Sequence, residues 1–438
     1  MRLNWFSPLP PDLTDVANYT ARIAPELMRR FDVTFWTSSE MASNAFSQGA
    51  CVRRLEPGEV STQDYRDFFT GACVFNIGND ARFHADIFDI AQRIPGIVIL
   101  HDTRIHHFVY ERFRSDIPAW SGYLQASRGL YGPGGLRRAI ANIEAAGRLI
   151  DDLAESMPFL ESVTEASIGV VCHSQGSAKE VRGRSSVPLL TLPLPYPCPP
   201  QHDLALRVWA PTWRFIIFGF LNPNRRLEVI LRTLSTLSDS LDFRLSIIGS
   251  LWDSAAIAAL IRELGLSDRV SILGVISEQE LDLEIARAHL AFNLRHPTMG
   301  EASGALLRTW GQATPAVVTK SGWYDELPDT VVVKISIANE SDDIVSAINN
   351  LVRTPQVFRN IGINGHRQLA VAHDPKAYVD ALSAAFADLK QLELRTASRV
   401  MLRRMAMMGG PTVILDQAVV RISDLLFKGS DGTLSDKL

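Results

Sequence analysis

Arg295 to Gly304 reads RHPTMGEASG, between a strand-like AHLAFNL and an apolar helical run, ALLRTW. The first backbone N–H groups of a helix have no internal partners and carry the positive end of its dipole. Gly300, Ser303 and Gly304 are small enough for a phosphate or diphosphate to approach those groups closely. Glu301 cannot hold a phosphate, but its carboxylate can accept hydrogen bonds from hydroxyls on a group attached to one, such as a sugar. A glutamate also favours a helix N-terminus for its own sake. These residues alone leave both readings open.

A second constellation is GFLNPNRR, Gly219 to Arg226. A strand ends in glycine and a turn, and two arginines open a helix. Arg225 and Arg226 can each neutralise a phosphate through a bidentate fork; alone, such a pair also reads as surface charge at a helix start. Gly249-Ser250 ends the next strand. His101-Asp102 ends the strand GIVIL and offers acid/base or hydrogen-bonding groups. His106 and His107 follow at a spacing too loose for a metal site, so His107 is expected to be structural. His173-Ser174-Gln175-Gly176 resembles the latter part of a nucleophile elbow with Cys172 in place of the first glycine. This raises an α/β serine hydrolase built on Ser174 as a competing reading. The charged segment after it, SAKEVRGR, argues against that reading. The first loop, Pro8 to Ala17, has no glycine and hence no dinucleotide fingerprint.

The elements that must position these residues alternate strand and helix. LNWF, DVTFWT, ACVFNIG, GIVILHD and GVVCHS read as strands, with helices at YTARIAPELMRRF, HADIFDIAQRI and residues 135–157. VPLLTLPLPYP is extended and proline-rich. A second series follows: RFIIFGFL, FRLSIIGS, VSILGVI and AHLAFNL as strands, with RRLEVILRTLSTL, AAIAALIRELGL and SEQELDLEIARA as helices. Ser277 with Glu280 three residues on is a capping-box pattern. Two such series predict two doubly wound α/β domains, whose ligands collect at the C-terminal ends of the strands.

Composition agrees. The chain's 438 residues exceed one ordinary core, and 46% hydrophobic with 21% charged residues is globular. A net charge of −4 does not favour nucleic acid. The four cysteines, Cys51, Cys73, Cys172 and Cys198, form no CxxC pair and no zinc spacing, which suits free thiols in a reducing cytoplasm. MRLNWFSPLPPDLTD lacks a secretory apolar core, and FIIFGFL is too short to span a bilayer.

Taken in order, FSPLPPDLTDVANYTARIAPEL, NIGND, VILHDTRIHH, VVCHSQGSAKEV, FGFLNPNRRLEVILRTL, LSIIGS and the Arg295 stretch resemble family 4 of the retaining nucleotide-sugar glycosyltransferases, from Arg2 to Phe386. The resemblance implies a GT-B architecture of two facing Rossmann-like domains with a cleft between them. An acceptor-side domain would span 1–200 and a donor domain 201–375. A helix at 376–392 would cross back to the first domain, and a basic-apolar tail would occupy 393–438. It implies a nucleoside-diphosphate sugar as donor, no obligatory metal or other cofactor, and Glu301, His101 and Arg225 as the residues of the reaction. Gly219, Arg225, Arg226, Gly249, Gly300, Glu301, Ser303 and Gly304 would line the donor. The acceptor would be a saccharide or lipid-linked saccharide, in bacterial surface-polysaccharide assembly in the cytoplasm. The tail LELRTASRVMLRRMAMM would either touch the inner membrane face or pack on protein.

The chain departs from that family at three places. A family arginine falls on Phe220, the family's second glutamate, which holds the ribose, falls on Arg308, and Thr14-Asp15 stands where glycine is frequent. These departures raise a second reading: a sugar-nucleotide-binding protein of the same fold with altered or lost catalysis.

Overall fold

The apolar runs become parallel strands, and central ones such as Ala72–Ile77, Ile97–Leu100, Leu290–Asn293 and Ala316–Thr319 are buried on both faces, as doubly wound sheets require. A computed structural model describes residues 1–39, 49–55, 71–94, 96–114, 118, 120–165, 167–199 and 207–386. They fall into two units: Met1–His173 with Ala178–Leu192 and residues 379–386, and Ser174–Ser177 with Pro193–Tyr378.

The first unit runs β1 (Arg2–Phe6), α1 (Asp15–Arg30), β2 (Asp32–Thr37), β3 (Cys51–Arg54), β4 (Ala72–Ile77), α2 (Ala81–Ala91) and β5 (Ile97–Leu100). It continues with α3 (His106–Phe113), α4 (Ser121–Glu144), α5 (Ile150–Ser156), α6 (Leu160–Thr164), β6 (Gly169–Cys172), α7 (Gln175–Arg184) and β7 (Leu189–Thr191). The sheet order is β3-β2-β1-β4-β5-β6-β7 with parallel pairing throughout. Strand order reverses between β1 and β4, so the crevice of this sheet opens there. Thr14 caps α1 by accepting from the Val16 N–H at 3.4 Å, so this residue of the first loop has a local helical task.

The second unit runs β8 (Trp213–Leu221), α8 (Leu227–Thr236), β9 (Phe243–Leu251), α9 (Ser254–Glu263), β10 (Val270–Gly274), α10 (Glu278–Arg287) and β11 (Leu290–Asn293). It ends with α11 (Gly304–Gly311), β12 (Ala316–Thr319), α12 (Trp323–Glu326), β13 (Val333–Ile335), α13 (Glu340–Arg353), α14 (Pro355–Ala372) and α15 (Pro375–Ala385). Its order is β10-β9-β8-β11-β12-β13, again all parallel, with the reversal between β8 and β11. The expected capping box at Ser277 and Glu280 is present, each closing on the other's backbone N–H.

One helix differs from the sequence reading, which ran it from 135 to 157. Helix begins at Ser121 rather than at 135 and breaks before Ile150. The helix kinks within GLYGPGG, because Gly132 takes φ 66°, ψ −163° and Pro133 restarts the turn. The two units divide at Leu192/Pro193, and α15 begins in the second and ends in the first. The tail expected at 393–438 lies outside the described residues. No described helix is long and apolar enough to cross a membrane.

Candidate functional site

In the second unit the expected residues gather at the reversal between β8 and β11. Gly219 and Gly249 face each other in register on β8 and β9, with φ of +104° and +114°. A Cβ on Gly249 would lie 2.1 Å from the Gly219 carbonyl oxygen. Only glycine fits this conformation and this approach. Phe220 beside them is 52% exposed. The chain then makes a short 3₁₀ turn, Pro223–Arg225, whose Asn224 carbonyl accepts from the His296 N–H at 2.8 Å. The loop after β8 is thereby tied to the loop after β11.

Arg225 is buried. Arg226 sits at φ 60°, and its fork is taken by Glu340: Nε donates at 3.1 and 3.0 Å and Nη2 at 2.7 Å. The Glu340 hydrogen bond holds the Arg226 guanidinium above its ordinary pKa. Of the two arginines, Arg226 therefore braces α8 against α13. Its carboxylate partner lies 114 positions away, and no local signal in the sequence announces it.

Beyond β11, Gly300 turns the loop at φ +87°. One Glu301 oxygen accepts from Arg295 Nη1; the other accepts from Thr298 Oγ1 at 2.9 Å and the Met299 N–H at 2.7 Å. Burial alone would push the Glu301 carboxyl up. The Arg295 charge and these donors outweigh it, and the pKa ends below the ordinary value. Glu301 is thus an ionised carboxylate fixed at the mouth of the sheet. It is not the helix cap. Ser303 caps α11, accepting from the Leu306 N–H at 3.1 Å. The Gly304 N–H opens the helix next to that cap.

Arg308 points away into the packing between helices. Its Nε donates to Asp282 at 2.7 Å, Nη2 to the Glu278 carbonyl at 2.8 Å, and Nη1 pairs with the Glu278 carboxylate at 2.5 Å. Burial opposes its charge, and these acids more than restore it, so its pKa is raised.

In the first unit, His101 stands at the end of β5 in a ring cluster. Its ring lies 4.8 Å from that of Tyr19 and 5.4 Å from that of His173. Burial, then the neighbouring His173 and His84, hold His101 well below its ordinary pKa. Its Nε2 lies 3.1 Å from Asn76 Oδ1. His84, on α2, meets the Asn76 carbonyl through Nδ1 at 3.0 Å, and burial lowers it to about 4. Asn76 opens the NIGND stretch at a strand's C-terminal end, where ligands were expected to collect, but sequence reasoning gave it no role of its own.

His107 is engaged by Asn79 at 3.3 Å and by Asp151 at 3.0 Å, in keeping with the structural role expected of it. His106 is buried between the Met157 carbonyl and the Tyr123 hydroxyl, each at 2.7 Å. Ser174 Oγ is committed to Ser177, donating to its Oγ at 2.7 Å and accepting from its N–H at 3.0 Å. That is the bonding of a helix start. Among the described residues no group of three or more His, Cys, Asp or Glu could hold a metal. A cavity of about 500 Å³, lined by Val208, Thr212, Arg214 and Arg287, opens at the opposite end of β8. It lies away from the strand C-termini.

No family model matches the chain. Solved structures align along most of it. Sucrose-phosphate synthase of Thermosynechococcus elongatus is 12% identical, with a TM-score of 0.61 over 89% of this chain and 99% of that one. HepE of Anabaena, solved with UDP and glucose, is 13% identical, with a TM-score of 0.59 over 88% of this chain and 99% of that one. The fold is GT-B. Among curated relatives, the MMP α-(1→4)-mannosyltransferase of Mycolicibacterium hassiacum is 26% identical over 149 residues, 33% of this chain and 36% of that protein. The chain thus matches about a third of the length of that relative. The carboxylate cluster stands at the β8/β11 reversal of its sheet, and the histidine cluster at the C-terminal ends of β4 to β6 in the other.

Proposed function

We propose that this chain is a glycosyltransferase that moves a sugar from a nucleoside-diphosphate sugar to a saccharide or lipid-linked saccharide, with retention of anomeric configuration, in surface-polysaccharide assembly. The observation that carries the reading is Glu301: a carboxylate kept ionised by Arg295 and two further donors at the switch point of its sheet, next to Gly300, the α11 N-terminus and the β8 turn that holds Arg225. An ionised carboxylate there accepts from sugar hydroxyls, while Arg225 and the first α11 N–H groups favour a diphosphate. HepE of Anabaena was solved with UDP-glucose and with UDP and glucose, which supports a donor of this class.

In the reaction, the bond from the anomeric carbon to the diphosphate oxygen breaks as the acceptor hydroxyl oxygen bonds to that carbon on the same face. The hydroxyl proton passes to the departing diphosphate oxygen. Arg225 and the N–H groups stabilise the charge that gathers there.

A thermal shift with a panel of nucleoside diphosphates and their sugars tests the site. Stabilisation by one base and sugar is expected; none by any member sinks the reading.

One observation favours a second reading, a sugar-nucleotide-binding protein with altered catalysis. Where the resemblance places the ribose-holding glutamate, Arg308 is locked to Asp282 and Glu278. Donor binding without turnover, across a panel of saccharide acceptors, would select it.

A further inference from the structure

The hydrogen bonds around Asn76 determine which nitrogen of His101 carries its proton. Asn76 Nδ2 donates to the Phe6 carbonyl at 3.0 Å, from the end of β4 to the end of the neighbouring β1. A carbonyl only accepts, so the amide nitrogen must face Phe6 and the amide oxygen must face the other way. That oxygen, Oδ1, is the atom 3.1 Å from His101 Nε2. An amide oxygen only accepts as well, so Nε2 must be the protonated nitrogen. In a neutral imidazole the other nitrogen then holds a lone pair. No hydrogen bond joins His101 Nδ1 to any described residue, and the residue is only partly buried. Tyr19, itself buried, packs edge-on against the ring at 75° and limits its rotation.

We infer that Asn76 is a positioning residue: it holds His101 as the Nε2–H tautomer and thereby presents Nδ1 as a hydrogen-bond acceptor for a ligand hydroxyl. The ligand's identity as a sugar or saccharide acceptor rests on the proposed function above; the tautomer does not. An acceptor nitrogen selects its visitor by chemistry. It welcomes an O–H and repels a phosphate or carboxylate oxygen, so His101 touches a hydroxylated part of the substrate and not the diphosphate. The depressed basicity keeps the lone pair open at neutral pH. His106 shows the contrast: Met157 and Tyr123 occupy both its nitrogens, and it has nothing left to offer.

Histidine labelled with ¹⁵N in the full chain, read by long-range proton–nitrogen correlation at pH 7, tests the tautomer directly. The His101 signals are assigned by their loss in His101→Gln. The expected spectrum is a neutral ring with protonated Nε2 and a pyridine-like Nδ1. A protonated Nδ1, or an averaged pair, overturns the inference. Asn76→Ala is expected to average the two nitrogens and to slow transfer roughly fivefold, the size of one lost hydrogen bond, while the donor-induced thermal shift persists. An unchanged tautomer in Asn76→Ala would show that Asn76 does not set it. Asn76→Asp places a charge on Nε2–H and is expected to raise the imidazole pKa by about one unit or more; no rise would also count against the inference. If Asn76→Ala does not fold, the wild-type spectrum and Asn76→Asp still decide. If no nucleotide binds, the proposed function falls while the tautomer result stands.

Discussion

At the ends of β4, β5 and β6 the titratable groups are neutral imidazoles: His84 and His101 both meet Asn76, with Tyr19 and His173 packed beside His101. At the ends of β8 and β11, and in the helices behind them, the buried groups are charges in pairs: Glu301 with Arg295, Arg226 with Glu340, Arg308 with Asp282. A neutral imidazole can be buried with one or two hydrogen bonds, whereas a buried charge needs a partner or it is severely destabilising. The two regions should therefore fail differently, the first to acid and the second to loss of a partner.

Acid gives the largest expected effect. His84 and His106 stand at about 4 in the folded chain, lowered chiefly by burial, against about 6.5 when unfolded. Above pH 6.5 both states are neutral and nothing changes. As pH falls below 6.5 the unfolded state binds protons first, so stability drops until about pH 4, by about 3 kcal/mol for each histidine. Glu301 is lowered and stays ionised through most of that window. Hydrogen exchange at pH 7 and pH 4.5 should show β4–β6 losing protection well before β8–β11. Equal loss in both would break the comparison.

Partner loss comes next. Glu301→Ala leaves Arg295 without its carboxylate partner and should cost about 3 kcal/mol in urea melts, and donor turnover should fall about a hundredfold or more. Glu340→Ala frees the more exposed Arg226 and should cost about 2 kcal/mol. Ser303→Ala removes the α11 cap and should cost about 1 kcal/mol at any pH. The smallest expected effect is none at all: in the proposed reaction Arg225 and backbone N–H groups take up the diphosphate charge, so EDTA should leave turnover unchanged.

The sequence made the fold largely readable because strands buried on both faces write themselves as apolar runs. ACVFNI, GIVIL and FIIFGFL all became strands. The capping box at Ser277 was equally local and equally plain. What could not be read was pairing over distance. Glu340 lies far along the chain from Arg226, and Asp282 and Glu278 lie 26 and 30 residues from Arg308. Only folding brings these acids to the arginines. The task of Asn76 was hidden for a different reason. An asparagine at a strand end is unremarkable until the Phe6 carbonyl, 70 residues earlier, fixes which way its amide points. Arg295 stood six residues from Glu301 in plain view, and a loop short enough to close was the signal that could have paired them.

The facing glycines of β8 and β9 carry a lesson for library design. A Cβ at residue 249 meets the carbonyl oxygen of residue 219, a main-chain atom present in every amino acid. No second-site change at 219 can remove it, so the usual route of compensatory epistasis is closed. Recombination or saturation around this mouth should hold residue 249 constant and diversify Phe220 instead, whose side chain faces solvent.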